Sequence, residues 1–65
     1  MKVEIRIGDI WEHHNGKRYV ILMVANLNSK STDYPITIVY RQELGGNIYS
    51  KDLNNFLITM TRIVN

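Results

Sequence analysis

The chain of 65 residues contains no cysteine and only one proline. Without cysteine it can form neither a disulfide nor a thiolate zinc site, the two devices that most often stabilise domains of this size. Folding must then rest on a small apolar core, which at this length supplies no more than roughly 3–5 kcal/mol. A chain free of cysteine also fits a reducing compartment, and we expect a cytoplasmic protein.

Long apolar runs are missing as well. The longest, from Tyr19 to Ala25, is far shorter than the roughly 20 residues that a membrane-spanning helix needs. At the N-terminus, charged residues separate Val3, Ile5 and Ile7, a pattern that differs from the uninterrupted apolar segment of a signal peptide. We therefore expect a soluble single domain over residues 1–65 that does not bind membranes.

Sequence motifs for catalysis and cofactor binding are also absent. There is no glycine-rich phosphate loop, no cysteine nucleophile and no His-Glu-x-x-His segment. His13 and His14 are adjacent, and neighbours on a strand point to opposite faces, so they are poorly placed to chelate one metal. A histidine base oriented by Asp9 or Glu12 would lack a nucleophile. We expect no enzyme activity, no cofactor and no metal.

Short β patterns fill the first half of the chain. Apolar and charged residues alternate through residues 3–7, and a second extended stretch follows at 10–13. Asn15 and Gly16 both tolerate positive φ and predict a hairpin with a type I′ turn. Residues 17–26 are apolar on both faces, which predicts the central strand of the sheet.

The second half continues this pattern. Strands are predicted at residues 36–41 and 48–49, because β-branched and aromatic residues follow turn-forming ones. Residues 50–56 are too short and too rich in asparagine for a stable helix, and they predict a single 3₁₀ turn. Residues 57–64 then predict a closing strand. The sequence as a whole predicts a mainly β fold: a small SH3-like five-stranded barrel or half-barrel with one short 3₁₀ turn.

Aromatic residues are the most informative candidates for a function. We expect Phe56 and at least one of Tyr19 and Tyr40 to lie in the core. Trp11 and Tyr49 flank turns among basic residues, a mixture that stacks bases or anchors a protein partner. The alternative is that Trp11 covers one end of the barrel. The predicted partner-binding residues are Trp11, His13, Lys17, Arg18, Arg41, Tyr49 and Lys51.

Several segments share their spacing with a known family. They are Gly8-Asp9-Ile10-Trp11-Glu12-His13-His14-Asn15-Gly16-Lys17-Arg18-Tyr19-Val20-Ile21, Val24-Ala25, Ile38-Val39-Tyr40, Leu44-Gly45-Gly46 and Leu53-Asn54-Asn55-Phe56. The series resembles the small bacterial and phage domains catalogued as DUF1653, over residues 8–60. Those domains carry Tyr-x-His-x-x-Gly-x-x-Tyr-x-Val-x-x-x-Ala, then Val-Val-Tyr and Pro-Leu-x-x-Phe. The resemblance implies the same small β fold. The family's polar Arg-His-Ser/Thr-Glu segment is replaced here by residues 26–29.

Charge decides between two classes of partner. The net charge is only +2, which disfavours strong electrostatic binding to phosphates. We therefore predict a protein-binding module, and the resemblance to phage domains implies an inhibitor of a host or defence protein. The alternative is a nucleic-acid-binding SH3-like or OB-like module that uses its basic residues with Trp11 or Tyr49. Unpaired strand edges also predict a homodimer.

Overall fold

The structure is a computed structural model that describes residues 5–28 and 30–63. Its strands are β1 (Ile10–His13), β2 (Arg18–Ala25), β3 (Thr37–Gln42), β4 (Ile48–Asp52) and β5 (Met60–Arg62), and its helix is α1 (Leu53–Thr59). The strands form one antiparallel sheet in the order β4-β3-β2-β1-β5. The prediction of a mainly β, five-stranded fold is confirmed, and the sheet, which hydrogen bonds do not close, is compatible with the predicted barrel or half-barrel.

The helix covers the gap between the two sheet edges. Both edge strands, β4 and β5, contact α1, which also contacts β3. The central position predicted for residues 17–26 is confirmed by β2, which lies third of the five strands. A register shift between Ile21 and Met23 marks a β-bulge in β2, and bulges increase the local twist that lets a short sheet coil around its core.

The core lies on one face of the sheet, which we call the inner face. Its buried residues are Trp11, Tyr19, Ile21, Ile38, Tyr40, Phe56 and Met60. The ring of Phe56 packs edge-on between Trp11, at 5.1 Å between centroids, and Tyr40, at 5.4 Å. The prediction that Phe56 and a tyrosine lie in the core is confirmed, with both Tyr19 and Tyr40 buried.

The strand predicted at residues 3–7 is not observed where it can be checked. Residues 1–4 lie outside the described part of the chain, and a turn at Ile7 and Gly8 takes the place of the strand in the described residues. The backbone N–H of Asp9 donates to the carbonyl of Arg6 at 3.0 Å, and the N–H of Arg6 donates to the Asp9 carboxylate at 3.0 Å. These two bonds fold the backbone back on itself, so the first described strand begins only at Ile10.

The first hairpin occurs where it was predicted, but its turn is of another type. Within this turn only Gly16 has a positive φ, at 91°, whereas a type I′ turn needs positive φ at Asn15 as well. The N–H of Gly16 donates to the carbonyl of His13 at 2.8 Å, and the N–H of His13 donates to the carbonyl of Lys17 at 2.8 Å. This is the pattern of a turn followed by a left-handed glycine, which inserts a bulge into the hairpin.

No 3₁₀ turn forms at residues 50–56: residues 50–52 continue β4, and the α-helix α1 begins at Leu53. Of the strand predicted at 57–64, residues 57–59 belong to α1 and 60–62 form β5, while residue 64 lies outside the described part of the chain. Asp52 caps the helix, because its carboxylate accepts the backbone N–H of Asn55 at 3.2 Å and the Asn55 side chain at 2.7 Å. Phe56 is fully buried one turn further on. Cap and burial together outweigh the weak helix propensity of the asparagines and β-branched residues. With seven residues, α1 cannot cross a membrane, and no other helix occurs in the described chain.

Candidate functional site

Strand register divides the exposed side chains between two faces. Residues directly opposite each other in an antiparallel pair share a face. Val20 on β2 pairs with Arg41 on β3, and Arg41 pairs with Ile48 on β4, while Met23 pairs with Val39. Val20, Val39 and Arg41 alternate with buried core residues along their strands, and Met23 and Ile48 lie opposite Val39 and Arg41, so all five lie on the outer face. We call these five residues the outer patch.

The outer patch is apolar apart from Arg41. Met23 is 53% exposed and Ile48 is 66% exposed, while Val20 and Val39 are half-buried. Arg41 lies back along its own strand, where its Nη1 donates to the carbonyls of Gln42 at 3.0 Å and Glu43 at 3.4 Å. An antiparallel sheet that faces water normally carries polar side chains on that face. Here the polar Ser50, Glu12 and Arg18 share the face with a contiguous aliphatic group.

Charged side chains border the outer patch at the hairpin end. Glu12 pairs with Arg18 in the β1–β2 register, with 3.8 Å between the Arg18 Nε and a Glu12 carboxylate oxygen. The N–H of Glu43 donates to the carbonyl of Arg18 at 3.0 Å and extends this row to the end of β3. Both partners of the ion pair are exposed, so it adds little stability but gives the patch a polar rim.

A second group of side chains meets where β1, β4 and α1 converge. The rings of His13 and His14 lie 4.1 Å apart. The Nζ of Lys51 donates to the Thr59 hydroxyl at 3.2 Å, and the N–H of His14 donates to the Thr59 carbonyl at 3.2 Å. Thr59 thus bridges the two strands. We call His13, His14 and Lys51 the basic cluster.

Electrostatics at the basic cluster favour a neutral His13. Desolvation lowers the pKa of His13 below its ordinary value, and the nearby charges of His14 and Lys51 lower it further. The backbone N–H of Asn15 donates to the Nδ1 of His13 at 3.0 Å, which requires that nitrogen to carry no proton. The free imidazole nitrogen, Nε2, is then the one that bears hydrogen.

Three tyrosines form a continuous aromatic group beside the basic cluster. Tyr49 packs against Tyr40 at 5.9 Å and against Tyr19 at 6.1 Å between ring centroids, and Tyr19 meets Tyr40 edge-on at 5.2 Å. Burial raises the pKa of Tyr40, and Tyr19 and Tyr49 raise it further. Tyr49 is 40% exposed, so its ring continues the buried aromatic core to the surface.

The structure brings together some of the predicted binding residues and separates others. His13, Tyr49 and Lys51 lie on the inner side, whereas Arg18 and Arg41 lie on the outer side. Lys17 is exposed at the hairpin, next to a hollow of about 390 Å³ whose lining residues are Gly16, Lys17, Arg18, Gln42, Glu43 and Leu44.

The structure places Trp11, one of the predicted binding residues, in the core. It is only 5% exposed and packs against Phe56, so its ring cannot serve as a surface anchor in this conformation. Its neighbour across β1–β2 is the buried Tyr19, which places it on the inner face. The alternative prediction, in which Trp11 belongs to the core at one end of the barrel, is the one that agrees with this burial.

His14 and Thr59 belong to this convergence of strands and helix but were not predicted as site residues. We expected the two histidines to point to opposite faces, which was wrong because β1 ends at His13 and His14 already lies in the turn. The described residues contain no group of three His, Cys, Asp or Glu side chains placed to hold a metal ion.

Comparison with known proteins adds no relative. No family model, no curated protein and no solved structure matches the chain. The resemblance to DUF1653 therefore stays a prediction, and the site must be interpreted from its own geometry.

Proposed function

We propose that the domain is a non-catalytic protein-binding module that docks its partner on the outer patch. The observation that carries this proposal is an aliphatic patch on a sheet face exposed to water. Met23 and Ile48 each expose more than half of their surface there, and the half-buried Val20 and Val39 belong to the same patch. Exposed apolar patches on small soluble domains commonly mark interaction sites.

The surroundings of the outer patch resemble the anatomy of a protein interface. An apolar centre is bordered by charged residues, here Glu12, Arg18 and Glu43. Arg41 lies inside the patch, and guanidinium groups are enriched at interface centres. Two carbonyls occupy only its Nη1, which leaves further N–H donors for a carboxylate. We therefore propose a partner with an apolar surface that contains an acidic side chain opposite Arg41.

The identity of the partner is proposed only by class. The resemblance to phage domains supports an inhibitor that acts on a host or defence protein. The cysteine-free sequence supports action in the cytoplasm. A second copy of the chain is the competing occupant of the outer patch, because aliphatic sheet faces can also pair across a two-fold axis.

The test compares two single substitutions to lysine. Ile48→Lys places a charge in the outer patch, and Ile58→Lys places the same charge on α1, where Ile58 is 78% exposed. A partner is captured with the wild-type domain, purified, and titrated by calorimetry against both variants. We expect Ile48→Lys to weaken binding at least about tenfold, because it buries an unpaired charge, and Ile58→Lys to leave it unchanged.

Light scattering on the same samples separates the two occupants. A wild-type dimer that Ile48→Lys dissociates would assign the outer patch to a second copy of the chain. A partner that binds both lysine variants with equal affinity would show that the outer patch is not the docking surface.

A further inference from the structure

We infer that the domain has a second binding site, on the inner side, for single-stranded nucleic acid. The basic cluster would hold phosphate groups, and the exposed ring of Tyr49 would stack on a base. This site shares no residue with the outer patch, so it is separate from the proposed protein-binding function.

The positive charge of the basic cluster rests on Lys51, which forms no ion pair within the described residues, because the lowered pKa of His13 favours its neutral form. Lys51 approaches a neutral hydroxyl, that of Thr59, and no carboxylate of the described residues lies within ion-pair distance of Lys51 or the two histidines. The neighbouring carboxylate, Asp52, caps α1 through Asn55, and its charge offsets only part of that of Lys51 because the Asn55 hydrogen bonds are its main interaction. The carbonyl end of a helix of seven residues offsets only part of this positive charge. A phosphate group would supply the missing negative charge.

The cluster exists only because the sheet coils. In the strand order of the sheet, Lys51 lies on the edge strand β4, where it pairs with Ile38, and His13 lies next to the opposite edge, where it pairs with Met60 on β5. Coiling and the helix bring them together, so that the charge of Lys51 acts on His13. The site therefore forms in the folded domain, and no short segment of the chain could present it alone.

Tyr49 lies where a base bound beside the cluster would stack. Tyr49 and Lys51 are two residues apart on β4, and their partners across the sheet, Tyr40 and Ile38, are both buried, so both lie on the inner face. Strand geometry then separates their Cα atoms by about 6.6 Å. The Tyr49 ring packs against the buried rings of Tyr19 and Tyr40. These contacts hold the Tyr49 side chain in place before a base binds, so stacking costs little further side-chain entropy. One nucleotide can therefore place its base on the ring and its phosphate at the ammonium group.

The same features favour single strands over duplexes. Stacking on a tyrosine needs an unpaired base, and a duplex keeps its bases stacked inside. Lys17 follows the two histidines along the hairpin, and its carbonyl accepts the N–H of His13, so the basic surface extends in that direction. The Glu12 carboxylate is paired with Arg18 on the outer face, away from this path.

The test is fluorescence anisotropy with labelled oligothymidine of about 15 nucleotides, a length that covers the site sizes of comparable small domains. The duplex of the same length is the comparison probe, and salt is varied from about 25 to 200 mM. Four proteins are compared: the wild-type domain, Lys51→Ala, Tyr49→Leu, and Lys30→Ala as the control. Lys30 is an exposed lysine in the loop between β2 and β3, so its removal costs the same charge elsewhere.

We expect single strands to bind at low salt, with an affinity that falls as salt rises by a logarithmic slope of about −0.7 per phosphate contacted. Lys51→Ala should weaken binding at least about fivefold and reduce that slope, whereas Tyr49→Leu should weaken it by a similar factor without changing the slope. Lys30→Ala should bind like the wild type. Far-ultraviolet circular dichroism confirms that each variant is folded.

Three outcomes would overturn the inference: no binding at the lowest salt, equal losses for Lys51→Ala and Lys30→Ala, or a duplex bound as tightly as the single strand. Arg41→Ala keeps this test separate from the proposed function, because Arg41 lies on the outer face. If Arg41→Ala changes the binding of the protein partner but not the binding of oligothymidine, the inner site is independent of the outer patch.

Discussion

Replacing Phe56 by alanine is the most direct test of how this small domain is held together. Phe56 is fully buried, it is the buried residue of α1, and its ring packs against both Trp11 and Tyr40. Truncation of a buried phenylalanine typically costs about 3–5 kcal/mol, and we expect a loss of that size. The loss includes two edge-to-face aromatic contacts, each worth roughly 0.5–1.5 kcal/mol beyond the buried area.

That loss is comparable with the total stability of the chain. A core of this size supplies no more than roughly 3–5 kcal/mol, and the chain has no disulfide to add to it. We therefore expect Phe56→Ala to be largely unfolded or to retain only a small fraction of the wild-type free energy of unfolding. Because Phe56 anchors α1 over the gap between β4 and β5, its loss should also release the helix from both sheet edges.

Urea denaturation followed by tryptophan fluorescence measures the effect directly. Trp11 is the only tryptophan, and its ring lies 5.1 Å from Phe56, so its emission reports on this contact. Phe56→Leu keeps an apolar side chain and should lose about 1–3 kcal/mol, a change that remains measurable if the alanine variant does not fold. Ile58→Ala is the control on the same helix and should change the free energy of unfolding by less than about 0.5 kcal/mol. Equal losses for Phe56→Leu and Ile58→Ala would refute the central role of Phe56 in the core.

Two further substitutions test the turn and the helix cap. Gly16→Ala forces a residue with a Cβ into a φ of 91° and should lower the free energy of unfolding, measured by urea denaturation, by about 1–2 kcal/mol. This cost comes from backbone strain, because no atom lies within 4 Å of the added Cβ. Gly16→Asn should cost less, because asparagine tolerates positive φ, and equal losses for the two variants would contradict this explanation. Asp52→Ala should lower the urea midpoint, whereas Asp52→Asn should preserve it because asparagine caps equally well. The hydrogen bonds from Asn55 hold the pKa of Asp52 below its ordinary value of 3.8. The wild type should therefore lose the stability that the ionised cap provides as the pH falls through this lowered pKa, whereas Asp52→Asn should not. If the free energy of unfolding of Asp52→Asn shows the same pH dependence, another carboxylate causes it.

Local patterns predicted the hairpins, the central strand and the aromatic core. The glycine at position 16, the polar loop before β3 and the two glycines before β4 act within a few residues, so the sequence alone reveals where the chain turns. The apolar stretch in β2 and the burial of Phe56 follow from hydrophobicity in the same way. These features need no knowledge of which distant segments meet.

Features that depend on competition between local and distant interactions were predicted wrongly. The alternating residues 5–7 have a strand pattern, yet the two hydrogen bonds between Arg6 and Asp9 close a turn. The asparagine-rich segment after β4 has a weak helix propensity, yet the Asp52 cap and the burial of Phe56 stabilise a helix. Propensity is a small contribution to the free energy, and a single cap or a buried ring outweighs it.

The candidate sites were the hardest part to predict, because they depend on coiling of the sheet. Sequence proximity to basic residues gave Trp11 the appearance of a surface residue, but the register with Tyr19 places it in the core. Conversely, nothing in the sequence brings Lys51 next to His13 or places Thr59 in contact with both Lys51 and His14. Only the contact of α1 with both sheet edges produces that arrangement.

The alternation of side chains along β4 explains how one small domain can present two separate surfaces. Ile48 lies on the outer face with the apolar patch, whereas Tyr49 and Lys51 lie on the inner face with the aromatic group and the basic cluster. Because a strand has a side-chain period of two, neighbouring residues of this edge strand serve opposite surfaces without any change of backbone. A protein docked on the outer patch would therefore leave the Tyr49 ring exposed. The two proposed ligands contact different side chains on opposite faces of the sheet, so one domain can bind both at the same time.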